Sequence, residues 1–275
     1  MHHWKRTLFA LAAPLLLTGC LWGPGKFAST LDLNKDGSFT LDYRGEIVLA
    51  MPEETKAAPW ADTLARCFKD GRTEIGSEGS TPPADDDEAR PCTPAEIAKL
   101  KADHARAAAD KVAAKAKENA DMAKMFGLPG LDDASARAFA EKLRKYAGWR
   151  SVTYRGKGVF EVDYHFTGRA TQDFLFPALP DNPLTVPFIA LRRRADGAVL
   201  VTASAMTGKS GPGGGGGVPM DGPASRADGR LTVTTNGEVL TNNSEDGPQR
   251  TAGGQKLVWD VTPSSAKVPE TLIRL

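Results

Sequence analysis

The segment from Phe27 to Leu49 constrains the fold more than any other, because apolar and polar side chains alternate through it almost without a break. Phe27, Leu31 and Leu33 lead into a turn, and Phe39, Leu41, Tyr43, Ile47 and Leu49 continue at odd positions. Ser38, Thr40, Asp42, Arg44 and Glu46 fill the even ones. Successive side chains of a strand point to opposite faces, so this pattern predicts two strands, within 26–50, that share one buried face. Asn34-Lys35-Asp36-Gly37 separates them, and Asp-Gly accepts the positive φ of a tight hairpin. Gly45 interrupts the apolar row and is read as a bulge.

The turn also has a calcium reading. Asp32, Asn34 and Asp36 followed by Gly37 match the first half of an EF-hand loop. Its twelfth position requires a bidentate Glu and is Tyr43, and the flanks alternate as strands where helices are needed. The hairpin accounts for the same residues without a metal.

Residues 51–92 carry little periodicity, with a short helix expected around 60–68 and a solvated acidic run, Asp85-Asp86-Asp87-Glu88. Thr93, Pro94 and Glu96 then form a capping box with proline at the first helical position. The helix they open is expected to reach about Met125 with only a thin apolar stripe: Ile97, Leu100, Ala107 and Val112. Gly127-Leu128-Pro129-Gly130 breaks it, and a second helix starting at Asp132 or Asp133 places Phe139, Leu143 and Tyr146 on one face. A helical hairpin over 93–147 follows.

Strands resume over 150–275. Val152 and Tyr154 precede a Gly156-Lys157-Gly158 turn, and Phe160, Val162, Tyr164 and Phe166 continue on the buried face. Further strands are expected at 186–192, 198–205, 231–235, 238–241 and 256–261. The Gly-rich segment 207–222 cannot hold a packed core. Lys209-Ser210 precedes its glycines where a phosphate loop needs Lys-Ser or Lys-Thr after them, so it is read as a loop. The expected class is α+β, a mainly antiparallel sheet with an inserted α-helical hairpin, forming a single domain over residues 20–275.

The N-terminus carries an address. Lys5 and Arg6 precede a short apolar stretch, residues 8–17, that contains Pro14 and is about half the length needed to span a bilayer. Leu17-Thr18-Gly19-Cys20 follows and resembles the lipobox of bacterial lipoproteins. That resemblance implies a signal peptide over residues 1–19, cleavage before Cys20, and acylation of Cys20 as a membrane anchor. In such lipoproteins an Asp after the Cys signals inner-membrane retention; here the residue is Leu21, which implies the outer membrane, facing the periplasm. Loss of Lys5 and Arg6 takes the formal net charge from +1 to −1, leaving no net field to attract nucleic acid.

Cys67 and Cys92 remain and are expected to pair in an oxidising compartment, stabilising by roughly 3 kcal/mol on the chain-entropy model, with two free thiols as the alternative. No metal site or cofactor is expected. Of the mature histidines, His104 is expected to be solvated, and His165 shares a strand face with Glu161 and Asp163. That trio is the one arrangement suited to acid–base chemistry, and nothing near it in sequence supplies a nucleophile. Tyr43, Phe160, Tyr164 and Phe166 either line an acyl-chain cavity or fill a core, the core being preferred.

At both ends the mature chain resembles the LppM-type domain of bacterial lipoproteins. The residues that carry this are Leu31-Asp32-Leu33, Asp36-Gly37 and Gly45-Glu46-Ile47-Val48, then Gly237-Glu238-Val239, Asn242-Asn243 and Leu257-Val258-Trp259-Asp260-Val261. The resemblance implies an α+β body and lipid or glycolipid binding; segment 93–147 and the Gly-rich loop depart from it. The functional expectation is a non-enzymatic envelope lipoprotein that binds lipid, glycolipid or an envelope component, with unknown ligand residues. The alternative is an interaction protein that docks an envelope protein through its helical hairpin.

Overall fold

The computed structural model describes residues 22–52, 58–76, 89–125, 127–178, 187–207 and 226–275. The expected signal peptide, Cys20, the acidic run 85–88 and all of the Gly-rich segment except Thr207 lie outside the described residues. In chain order come strands β1 (Trp22–Leu33), β2 (Ser38–Leu49), β3 (Ala65–Phe68), β4 (Thr73–Ile75) and β5 (Ala89–Arg90). Helices α1 (Pro94–Met125) and α2 (Asp133–Leu143) follow, then β6 (Trp149–Gly156), β7 (Val159–Arg169) and β8 (Phe174–Phe176). The remaining strands are β9 (Ile189–Arg193), β10 (Val199–Thr202), β11 (Asp228–Thr235), β12 (Glu238–Asn242), β13 (Gln249–Thr251), β14 (Gly254–Val261) and β15 (Glu270–Arg274). The fold is α+β. Expected as one domain, the chain clusters into two compact units, one from Met1–Met51 with Ala123–Leu275, the other Pro52–Met122.

In the larger unit a seven-stranded sheet runs β13-β14-β11-β1-β2-β7-β6. Every pairing in it is antiparallel except β1 with β11, which is parallel. The β1–β2 turn is the expected hairpin: Gly37 takes φ +84°, its N–H donates to the Asn34 carbonyl at 2.8 Å, and Asp36 Oδ1 accepts the Ser38 N–H at 2.9 Å. A bond from the Ser38 hydroxyl at 2.6 Å, then the one from its N–H, hold the Asp36 carboxyl below its usual range. The predicted inner row is buried throughout, with Leu31, Leu41 and Tyr43 fully enclosed.

A second sheet, β12-β15-β10-β9-β8, is antiparallel throughout and contributes to the same core. Phe174 and Phe176 of β8 and nearby Phe188 meet the inner face: Phe176 lies 5.0 Å from Tyr43 and 4.5 Å from Tyr164, and Phe174 lies 5.1 Å from Phe166 between ring centroids. α2 covers the other end of that face. Its N-cap Asp132 accepts the Ser135 N–H at 2.8 Å, and its buried Phe139 packs 5.5 Å from Trp22 and 6.3 Å from Phe160. Tyr146, expected beside Leu143, is exposed because α2 ends at Leu143 and the chain turns away toward β6.

The smaller unit holds a three-stranded sheet, β4-β3-β5, closed by the Cys67–Cys92 disulfide at a Cα–Cα separation of 5.2 Å. The helix expected over 60–68 is replaced by a 3-10 turn, Asp62–Leu64, and by β3. Cross-strand pairing of Cys67 with Thr73 and Arg90 satisfies the backbone that a helix would have satisfied locally. The α1 capping box forms as expected: Glu96 N–H donates to Thr93 Oγ1 at 3.3 Å, and Thr93 N–H donates to Glu96 Oε2 at 2.8 Å. Arg90 adds two bonds to the Glu96 carboxylate, at 2.9 and 2.6 Å. His104, expected in solvent, is half-buried with its ring edge-on to Trp60 at 5.5 Å.

Hydrogen bonds from Arg90, then from Thr93, lower the Glu96 carboxyl from 4.5 to about 2. A depressed folded-state pKa gives stability that is complete above the unfolded value and lost as pH falls toward the folded one. Amide exchange over the first turn of α1 is therefore expected to accelerate between pH 4.5 and about 2. In Glu96→Gln that acid-dependent step should disappear, as measured by hydrogen exchange at pH 3 against pH 6.

Candidate functional site

The even-numbered residues from Lys26 to Asp32 of β1 and from Ser38 to Glu46 of β2, with the odd ones from Glu161 to Arg169 of β7, face away from the core, and they bring together the ionisable groups most able to act on a ligand. Register decides which meet. Asp42 stands opposite His165, Arg44 opposite Asp163, and Glu46 opposite Glu161. Asp42 Oδ1 lies 2.8 Å from His165 Nδ1, a pair about one-third exposed. Asp163 Oδ2 lies 3.4 Å from Arg44 Nε. Glu161 is taken by Arg155 of β6, whose Nε donates to it at 2.7 Å, and Glu46 Oε2 accepts the Lys26 N–H at 3.0 Å.

The predicted trio is thus dispersed. His165, Glu161 and Asp163 share a face, as expected, but each engages a different strand or partner. The imidazole takes its carboxylate from Asp42, a residue assigned to that face without a role. Among the described residues, no hydroxyl or thiol bonds the imidazole, so the pair orients a ring without addressing a nucleophile. Ser29 lies on the buried face and donates to the Asp42 carbonyl at 2.8 Å, while Thr30 stands opposite Asp42 on the outward face.

Beside this pair stands Asp32, named above for a calcium loop. Its carboxylate accepts a hydrogen bond from Thr234 Oγ1 of β11, a contact created by the parallel β1–β11 pairing. Partial burial, then the neighbouring Asp42, raises the Asp32 carboxyl above its usual range. Arg230 and Asp260 extend the charged row onto β11 and β14 at 2.7 Å. The whole is a hydrogen-bonded polar strip whose side chains could meet hydroxyl and charged groups of a ligand. Among the described residues no group of three His, Cys, Asp or Glu side chains is placed to hold a metal ion.

On the opposite face, Tyr43, Phe160 and Tyr164 are buried and Phe166 is half-buried; all four are engaged with other rings. The Tyr43 hydroxyl donates to the Glu46 carbonyl at 2.7 Å. Burial pushes the Tyr164 phenol up to about 12.

No described helix is long and apolar enough to cross a membrane. No protein-family model matches the chain, and no curated protein does. Among solved structures it is similar to the NMR structure of the folded domain of the Mycobacterium tuberculosis LppM protein, at 10% sequence identity and a TM-score of 0.24, with 93% of this chain and 89% of that chain covered.

Proposed function

We propose that this chain is an exported lipoprotein of the cell envelope, anchored through acylated Cys20, whose α+β body binds a lipid or glycolipid without catalysing a reaction. The observation that carries the reading is Leu17-Thr18-Gly19-Cys20 placed directly after the apolar segment 8–17. The Cys67–Cys92 disulfide supports export, since such bonds persist in oxidising compartments. Because Tyr43, Phe160, Tyr164 and Phe166 are occupied with one another and with β8, the outward polar strip is favoured as the ligand surface. Head-group recognition there fits better than acyl-chain sequestration. Cys20→Ser should move the protein from the membrane to the soluble fraction and remove the acyl mass from its N-terminal peptide. Retention in the membrane fraction by the unacylated variant would end this reading.

A second reading is favoured by α1. Leu100 and Ala123 are buried, but Val112 is 38% exposed and the helix between them is largely open to water. Such a helix, about 48 Å long for 32 residues at 1.5 Å each, suits an arm that docks an envelope protein. Val112→Asp combined with Lys111→Glu should release that protein without changing thermal unfolding; unchanged co-purification would eliminate the arm.

A further inference from the structure

We infer that the end of the seven-stranded sheet bearing the β6–β7 turn is a membrane-docking surface, held against the phospholipid head groups of the bilayer that takes the Cys20 acyl chains. This rests on the acylation of Cys20 proposed above. The argument is one of tether length. Trp22 opens β1, pairs with Leu49, and is only 4% exposed, with its ring 5.5 Å from Phe139 and 5.4 Å from Phe160. It belongs to the packed core and is not a frayed end. One residue, Leu21, separates it from Cys20.

At no more than about 3.6 Å per residue, Cys20 stands within about 7 Å of Trp22. The polar layer on one side of a bilayer is itself roughly 5–8 Å thick, half the difference between its total and hydrocarbon thicknesses. With its acyl chains in the hydrocarbon, a chain so short cannot carry the folded body clear of the head groups. The sheet end at Trp22 must touch them.

Register identifies what else lies at that end. Leu49 N–H donates to the Gly158 carbonyl at 2.8 Å, which sets the β6–β7 turn beside the end of β2. β7 is two strands from β1, about 10 Å at 4.8 Å per step. Lys157 occupies the tip of that turn, exposed, at φ +52°, and without an ion pair among the described residues. Arg137 and Arg155 stand close by: Arg137 lies over the Tyr154 ring at 5.9 Å, and the Tyr154 hydroxyl accepts the Gly158 N–H at 3.0 Å. Among the described residues their acidic partners, Asp133 and Glu161, are paired with Arg137 and Arg155 and not with Lys157. The β1–β2 turn lies at the opposite end, roughly 40 Å away at about 3.3 Å per residue.

The test uses the full lipidated chain, in which acylation and the disulfide leave an introduced cysteine as the free thiol. Lys157→Cys and Lys35→Cys are labelled with a small fluorophore and reconstituted in phosphatidylethanolamine/phosphatidylglycerol vesicles carrying a nitroxide on the head group. Quenching should be at least fivefold greater at 157 than at 35. Met51→Cys, two residues beyond β2, is a second reporter of the docked end and should match 157. Equal quenching at both ends in protein that floats with vesicles overturns the docking surface while leaving the anchor intact. Protein that neither floats nor carries acyl mass overturns the anchor, and the docking surface with it.

Discussion

Replacing Gly45 by valine is expected to prevent the seven-stranded sheet from assembling, with a loss of about 4 kcal/mol or more, at the extreme of single-substitution effects. Gly45 sits at φ +146°, where an L side chain is strained, opposite the point at which the β1–β2 register shifts between Pro24 and Phe27. A Cβ there would meet the Lys26 carbonyl oxygen at 2.2 Å and Phe27 Cα at 2.6 Å. Both are backbone atoms of the neighbouring strand, so relief requires moving β1 itself. β1 is the worst strand to move, because it joins β2 on one side to β11 on the other. The bulge also seats Phe27, whose ring stacks on Tyr43 with centroids 5.9 Å apart. Gly253→Ala is the control: a Cβ at that position meets nothing within 4 Å, and the change should stay within about 0.5 kcal/mol. Urea unfolding of both variants distinguishes them; a folded Gly45→Val protein with an unchanged midpoint would refute the account of the bulge.

What could be read from the chain beforehand follows from the range over which each signal acts. The 34–37 turn, the inner row from Phe27 to Leu49, the Thr93/Glu96 box and the start of the second helix at Asp132 or Asp133 are written within a few residues of where they act, and each appears as expected. The β1–β11 pair could not be read, since alternation shows which face a strand buries but not which strand lies beside it. Of the second sheet, β9, β10 and β12 fall in the strands expected at 186–192, 198–205 and 238–241, whereas β8 and β15, of 3 and 5 residues, are too short for a period to show. Its strand β12 follows β11 after Asn236 and Gly237 yet belongs to the other sheet, where a hairpin would be the default expectation. The polar strip shows the same limit. Glu161 and Asp163 were legible as neighbours of His165 because they share its strand. Same-face neighbours along a strand are about 7 Å apart, whereas opposite residues on paired strands approach about 5 Å. Asp42, 123 positions away, is therefore the partner, and Asp32 gained Thr234 through a pairing that spans 202.

Tyr43→Ala is expected to cost about 4 kcal/mol, and the size of that loss bears directly on function. Tyr43 has no measurable exposure, and its ring lies 5.0 Å from Phe176, 5.9 Å from Phe27 and 6.1 Å from Phe188. Truncation removes two of the ring contacts between that face and Phe176 and Phe188 and leaves a void in a close-packed layer. Tyr43→Phe keeps the ring and deletes only the bond to the Glu46 carbonyl, so it should cost about 1 kcal/mol. A ligand-lining tyrosine behaves differently: its alanine variant lowers affinity while the apo protein stays nearly as stable. A steep alanine cost with a shallow phenylalanine cost, measured by chemical denaturation without lipid, would assign these rings to structure and move the search for ligand contacts to Asp32, Asp42 and His165. An alanine cost below about 1 kcal/mol would reverse that assignment, because so small a loss means the ring faces space that a native core does not leave open.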